Sequence, residues 1–295
     1  MQQPVCHPPF TAVPRAQQLA GWAREALIAE VWLTPKPGLV DGRGSGAHAD
    51  MTLALMVRSA RALEPTFYAL ALAGWQRHAD VALRSEVGRL GRAGEQTMLA
   101  ATGGVNTHRG AIWALGLLVT ALAMQGEQAE PERTVFLAAA LARLTDPAAP
   151  RGFSHGLRAS RRFRLPGARE EAQRGFPHVM QHALPQMRRT HLAGGDAQAV
   201  RLDGLLAIMS HLSDTCVLSR GGLPALAAMQ SGAQRVLALG GYGTPAGRLA
   251  LASLDRQLLK RGVSPGGAAD LLAAALLLAR AFPLSFDAGQ DHGKD

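Results

Sequence analysis

Four stretches of this chain pair glycine with residues that bind or transfer charge, and each leads into an apolar run. The first is Thr34-Pro35-Lys36-Pro37-Gly38-Leu39-Val40-Asp41, continued by Gly46-Ala47-His48-Ala49-Asp50-Met51. The second is Gly103-Gly104-Val105-Asn106-Thr107-His108-Arg109-Gly110. The third, Ser213-Asp214-Thr215-Cys216, is followed by Ser219-Arg220-Gly221-Gly222, and the fourth is Ser264-Pro265-Gly266-Gly267-Ala268-Ala269-Asp270. Where a loop turns into a helix, the first N–H groups lack internal partners and the helix dipole adds positive charge. Such a joint attracts anions, and glycine lets a ligand approach the backbone closely. One joint alone is ordinarily a cap and a turn; four carrying Asp, His, Asn and Arg point to a shared anion site. Asn106 is the only asparagine and Lys36 one of three lysines, and both fall inside these loops.

The carboxylates in or beside the joints are Asp41, Asp50, Glu95, Asp214 and Asp270. A polyphosphate travels with Mg²⁺, a hard cation that takes oxygen ligands from one or two carboxylates and from the phosphates. Lys36, Arg109 and Arg220 suit phosphate oxygens, arginine in bidentate fashion. His48 and His108 are acid–base groups or phosphate ligands. Simpler roles stand beside these: Asp50 or Ser264 as a helix N-cap, Glu95 on a solvated face, Arg220 as a C-terminal cap. Walker-type loops, HExxH, CxxC and GxSxG are absent, so a nucleotide would be held in another way.

The elements that position these loops are helices. Alanine and leucine dominate, with only three isoleucines and two tyrosines, and strands need β-branched and aromatic residues. The composition, 47% hydrophobic and 18% charged, is globular. The expected fold is all-α, a single compact multi-helix domain over residues 15–284, with flexible segments at 1–14 and 285–295. Leu19, Trp22, Ala26, Ala29 and Leu33 recur at helical spacing from Arg15 to Leu33, where Pro35 and Pro37 forbid continuation. Pro65 is expected to end or kink the next helix. A strongly apolar helix follows from Thr107 to Met124, and residues 146–175 read as irregular. Later helices are expected over 176–189, 203–217, 224–239, 247–260 and 265–282, with Ser264 as N-cap and Pro265 in the first turn.

The net charge of +9 suits nucleic acid, anionic lipid or a polyphosphate. Nucleic acid is not expected, because the aromatics are only 5% and are scattered rather than interleaved with a basic stripe. No apolar run reaches the ~20 residues that span a bilayer. Two cysteines without metal spacing fit a reducing cytoplasm.

The segments EVWLTPKPGLVD, GAHADM, GVNTHRGAI, GAREEAQRGFP and SPGGAADLL closely resemble the triphosphoribosyl-dephospho-CoA synthases, in order and spacing, from about Arg15 to Phe282. Two departures are Arg109, where lysine is usual, and Gly42-Arg43-Gly44-Ser45 in place of a more polar stretch. The resemblance implies an all-helical, Mg²⁺-dependent enzyme. It would transfer the triphosphoribosyl group of ATP to dephospho-CoA and release adenine. The product would be the prosthetic-group precursor for an acyl-carrier subunit of malonate decarboxylase or citrate lyase.

On this reading Asp41, His48, Asp50 and Glu95 form the reacting side. Lys36, Asn106, Thr107, His108, Arg109, Arg220, Gly221, Gly222, Gly266 and Gly267 bind substrate, and Asp50, Asp214 and Asp270 hold the metal. Asp50→Asn and Asp214→Asn are expected to abolish adenine release without unfolding. The segment Arg151–Arg174, with seven arginines against two glutamates, is a candidate for receiving dephospho-CoA or the carrier system. The apolar helix content makes a homodimer an expectation. The alternatives are a Mg²⁺-dependent hydrolase of ADP-ribose linkages or nucleotides, after Ser213-Asp214-Thr215, and a non-catalytic basic nucleic-acid-binding or regulatory protein.

Overall fold

The structure, a computed structural model, describes residues 11–149 and 155–283; the expected flexible segments lie largely outside these. The all-α expectation holds: the described residues form thirteen α-helices and one π-helical segment, with no strand. Helix α1 (Ala12–Trp32) buries Leu19, Ala23, Ala26, Leu27 and Glu30 along one face. It starts before Arg15, so residues 12–14 belong to the helix rather than to a flexible arm. Thr52, not Asp50, caps α2 (Leu53–Ala62), its hydroxyl accepting from the Leu55 N–H at 3.2 Å. Pro65 opens α3 (Glu64–Gly74) rather than ending a helix, because the first turn needs no N–H from it. Asp80 caps α4 (Val81–Thr102).

Helix α5 (Arg109–Met124) is buried along nearly its whole length, from Ala111 to Met124. It packs on α3, on α6 (Pro131–Arg143) and on α13 (Gly266–Ala281), and α1 covers α3 and α13. Each leucine fully buried here, such as Leu115 or Leu118, contributes roughly 1.5–3 kcal/mol relative to exposure. Residues 146–175, expected to be irregular, hold α7 (His155–Phe163) and α8 (Ala168–Gln173). Both are short, nine and six residues, and the glycines and prolines around them break up the helical spacing. Local bonds hold them: the Glu170 carboxylate reaches back to the Gly167 N–H at 2.9 Å, and the Ser160 hydroxyl donates to the Leu165 carbonyl at 2.6 Å.

The stretch expected as one helix over 176–189 is a π-helical segment (His178–Ala183) leading into α9 (Leu184–Leu192). That expected over 203–217 is also divided. Helix α10 (Ala197–Met209) stops, and α11 (Thr215–Ala238) begins at the Asp214 cap. Gly222, at φ 65° and ψ −165°, kinks α11, a conformation that L side chains resist. Helix α12 (Pro245–Lys260) packs along α11 and leads to the loop before α13. The N-termini of α5, α11 and α13 all open toward one end of the bundle, beside the loop that follows α1.

Candidate active site

A cavity of about 460 Å³ lies where these loops meet, and its walls include Lys36, His48, Asn106, Thr107, His108, Arg109, Arg220, Gly266 and Asp270. Thus all four sequence-marked joints contribute to one site. Leu39, Val40, Met51 and Met56 give it an apolar wall.

At one side the Lys36 ammonium, 1% exposed, pairs with the buried Glu30 carboxylate and donates to the Glu30 carbonyl at 2.6 Å. Two of its three donors are thereby used, and one is left for the cavity. Glu30 escaped the sequence reading. Its signal was an acidic residue on the buried face of α1, on the same apolar stripe as Ala23 and Ala26.

His108 is buried, and its Nδ1 lies 2.9 Å from the hydroxyl of Ser59, which also contacts the Thr107 hydroxyl at 2.7 Å. Its Nε2 has no protein partner and borders the cavity. Burial, and then the charge of Lys36, depress its pKa to about 3, so the ring is neutral near pH 7. His108 therefore offers a ligand a hydrogen bond and no charge. Ser264, expected as an N-cap, makes no cap bond; Pro265 holds that position. The Ser264 hydroxyl is buried without a partner and lines the same cavity.

Asp270 lines the same cavity as Lys36. Burial raises its pKa well above the usual carboxylate range, as do the charges of Glu30 and Asp214, while an N–H bond from Ala111 works the other way. The carboxylate packs so closely on α5 that a Cβ at Gly110 would lie 2.0 Å from its Oδ2. Cys216 also lines the cavity, but burial first, then Asp214 and Asp270, push its thiol up, so it is no nucleophile at neutral pH.

Asp214 sits behind this wall rather than in it. Its Oδ1 accepts from the Cys216 and Val217 N–H groups at 2.8 and 3.2 Å, and its Oδ2 from Ala268 at 2.9 Å. One carboxylate thus caps α11 and α13 together, which fixes the two helix starts relative to each other. Burial raises its pKa despite these bonds. The sequence-based expectation that Asp214→Asn spares the fold changes accordingly. An amide NH₂ would face backbone N–H donors, and the variant is expected to lose about 2 kcal/mol of stability through unsatisfied buried donors. Thermal denaturation measures it, and an unchanged Tm would remove the dual-cap role.

Other marked residues also stand off the cavity. Asp41 accepts from the N–H groups of Lys36 (2.7 Å) and Arg43 (2.8 Å) and pairs with the Arg43 guanidinium. Its oxygens knit the 34–47 loop together rather than face a ligand. Glu95 pairs with Arg109 Nε at 2.9 Å, outside the main cavity. Asp50 is mostly exposed at the mouth, 3.8 Å from His48 Nδ1. Gly221 packs beneath Val263, Gly222 forms the kink, and Gly267 lies against Asp214. Arg220 is an exposed rim residue whose charge, after burial, lowers the His48 pKa, with Asp50 opposing. Among the described residues no group of three or more His, Cys, Asp or Glu is close enough to hold a metal unaided, and none of their helices is long and apolar enough to cross a membrane.

Cationic and polar groups surround a cavity at the N-termini of α5 and α13, with an enclosed carboxyl, and a helical site of this kind has the charge and donors to suit an anion. The chain belongs to the CitG family, ATP:dephospho-CoA triphosphoribosyl transferase, whose model matches residues 16–285. It is similar to the 2-(5''-triphosphoribosyl)-3'-dephosphocoenzyme-A synthase of Klebsiella pneumoniae, with 60% identity over 272 residues, 92% of this chain and 97% of the relative. A probable synthase of the same name from Azotobacter vinelandii is 55% identical over 282 residues, 93% of this chain and 96% of the relative. No solved structure matches the chain.

Proposed function

We propose that this chain moves the 5-triphosphoribosyl group of ATP onto a ribose hydroxyl of dephospho-CoA and releases adenine. The match to this transferase family across residues 16–285 carries the reading, and the cavity supplies the groups that the reaction needs. The bond from the ribose anomeric carbon to adenine breaks, and a bond from that carbon to the acceptor oxygen forms. The proton of the acceptor hydroxyl leaves with the base. Positive charge builds on the ribose meanwhile, as in other glycosyl transfers.

Lys36, Arg109 and Arg220, with Asn106, Thr107 and the helix starts at Arg109 and Gly266, hold the phosphates. His108 adds a neutral hydrogen bond through Nε2. His48 lines the cavity, and its lowered pKa keeps the ring neutral and ready to take the hydroxyl proton. Of the carboxylates considered for Mg²⁺, Asp270 fits: it is a hard oxygen donor in the cavity, crowded by Glu30 and Asp214, where a cation would relieve repulsion. Bound Mg²⁺ would neutralise charge on the triphosphate.

Incubation with ATP and Mg²⁺, with and without dephospho-CoA, tests the reading by free adenine. Acceptor-dependent release is the expected result. Release without acceptor would instead make the chain a hydrolase, and no release would leave a binding protein. The product would serve as the prosthetic-group precursor for the acyl-carrier subunit of malonate decarboxylase or citrate lyase, in the cytoplasm.

A further inference from the structure

The reaction brings two nucleotides together, while a cavity of about 460 Å³ has the size of a site for one ligand. A second cavity, of about 210 Å³, lies between α4 and α5, with Arg84, Arg92, Glu95, Trp113 and Asp146 among its walls. The two share a partition. Glu95 lines the second and pairs with Arg109, which lines the first. Trp113 lies one helical turn beyond Gly110 of the first cavity, and its indole N–H donates to the Ala168 carbonyl at 3.1 Å, which ties in α8.

Arg84 is what sets this cavity apart. The residue is 8% exposed, yet its Nε and Nη1 have no hydrogen-bond partner. Its guanidinium lies over the Trp113 ring, 5.4 Å from the centroid, and one face of the fork is thereby fixed. The nearest carboxylate, Asp146, is 3.7 Å from Nη1 and bonds instead to Arg92 Nη1 at 2.6 Å. Arg169 of α8 adds a third positive charge close by. Two guanidinium groups, Arg84 and Arg92, thus share one buried carboxylate, and Glu95 is already engaged by Arg109. A buried guanidinium with unmade bonds is costly to the fold, and an anion of matching geometry removes that cost.

We infer that this second cavity receives the diphosphate of the acceptor nucleotide, with Arg84 as the main contact and Arg92 as its neighbour. The inference rests on the transferase reading above. It places the acceptor's ribose toward the Glu95–Arg109 partition and hence toward the first cavity.

Two variants test it in the intact chain. Arg84→Met removes the contact along with a buried guanidinium two of whose nitrogens lack hydrogen-bond partners. Gly91→Leu fills the cavity from its α4 wall, where an added Cβ meets nothing within 4 Å and the helix gains from losing a glycine. Both are expected to raise the KM for dephospho-CoA about tenfold or more, as loss of charge-assisted bonds does, with the KM for ATP within about twofold of wild type. The inference is overturned if either variant keeps the wild-type KM for dephospho-CoA, or if both KM values rise together. Wild-type protein that releases no adenine would sink the transferase reading instead. In that case calorimetric titration with inorganic pyrophosphate decides the site: binding weakened tenfold in Arg84→Met supports it, and equal binding or none in wild type overturns it.

Discussion

Replacing Asp270 with asparagine is expected to lower the rate of adenine release by about 10²–10⁴ while the fold becomes no less stable. The carboxyl is enclosed at the meeting of α5 and α13, and burial together with Glu30 and Asp214 raises its pKa well above the usual range. The sign of the stability effect follows. A carboxyl whose pKa is higher in the folded than in the unfolded chain binds more protons when folded. It therefore weakens the fold at neutral pH, and that penalty is relieved as pH falls through the folded pKa. Asparagine removes the penalty and keeps an oxygen for the Ala111 N–H. A carboxyl retained at such a cost fits a functional role better than a structural one. Gly110→Ala should mimic the activity loss, since its Cβ would push into Oδ2. Wild-type adenine release in Asp270→Asn, or a lowered Tm, would remove Asp270 from the site.

Lys36→Met is expected to cost about 3–5 kcal/mol of stability, because it leaves the Glu30 carboxylate buried without a partner. Both side chains are almost fully enclosed, at 2% and 4% exposure, so solvent screens the pair little. The double variant Glu30→Gln with Lys36→Met should regain most of the loss, since no buried charge is then left alone. Urea denaturation of the two single variants and the double one measures the coupling. Additive losses would show that the pair does not act as a unit. The double variant is still expected to lose activity, because the remaining Lys36 donor faces the cavity beside His108.

The amino-acid sequence by itself determined that the chain is helical and marked the four joints that line one cavity. Apolar residues at helical spacing in α1 and α5, proline at the loop after α1, and glycine with Asp, His or Arg at four joints are all local signals. Each acts between residues three or four apart, or at a single helix end, so a linear reading reaches them. The resemblance carried by the five quoted segments was legible for the same reason. Helix boundaries were less so. Pro65 is expected to end or kink a helix and opens α3 instead, and the N-cap expected at Ser264 falls on Pro265, because a proline near a helix end suits either side of it. Helices α7 and α8, of nine and six residues and flanked by glycine and proline, are too short to show a sustained period.

Only the tertiary structure decided what each marked side chain does. Asp214 and Ala268, Ser59 and His108, and Arg84 and Trp113 lie far apart in the chain, and their contacts exist only once α2, α4, α5, α11 and α13 are packed. Burial then separates carboxylates that look alike in sequence. Asp41 ties a loop together, Asp214 joins two helices, Asp50 faces solvent, and Asp270 is held in the cavity with its charge disfavoured. The residue type sets what chemistry a side chain can do. Its partners and its access to water, which long-range packing supplies, set which of those roles it takes.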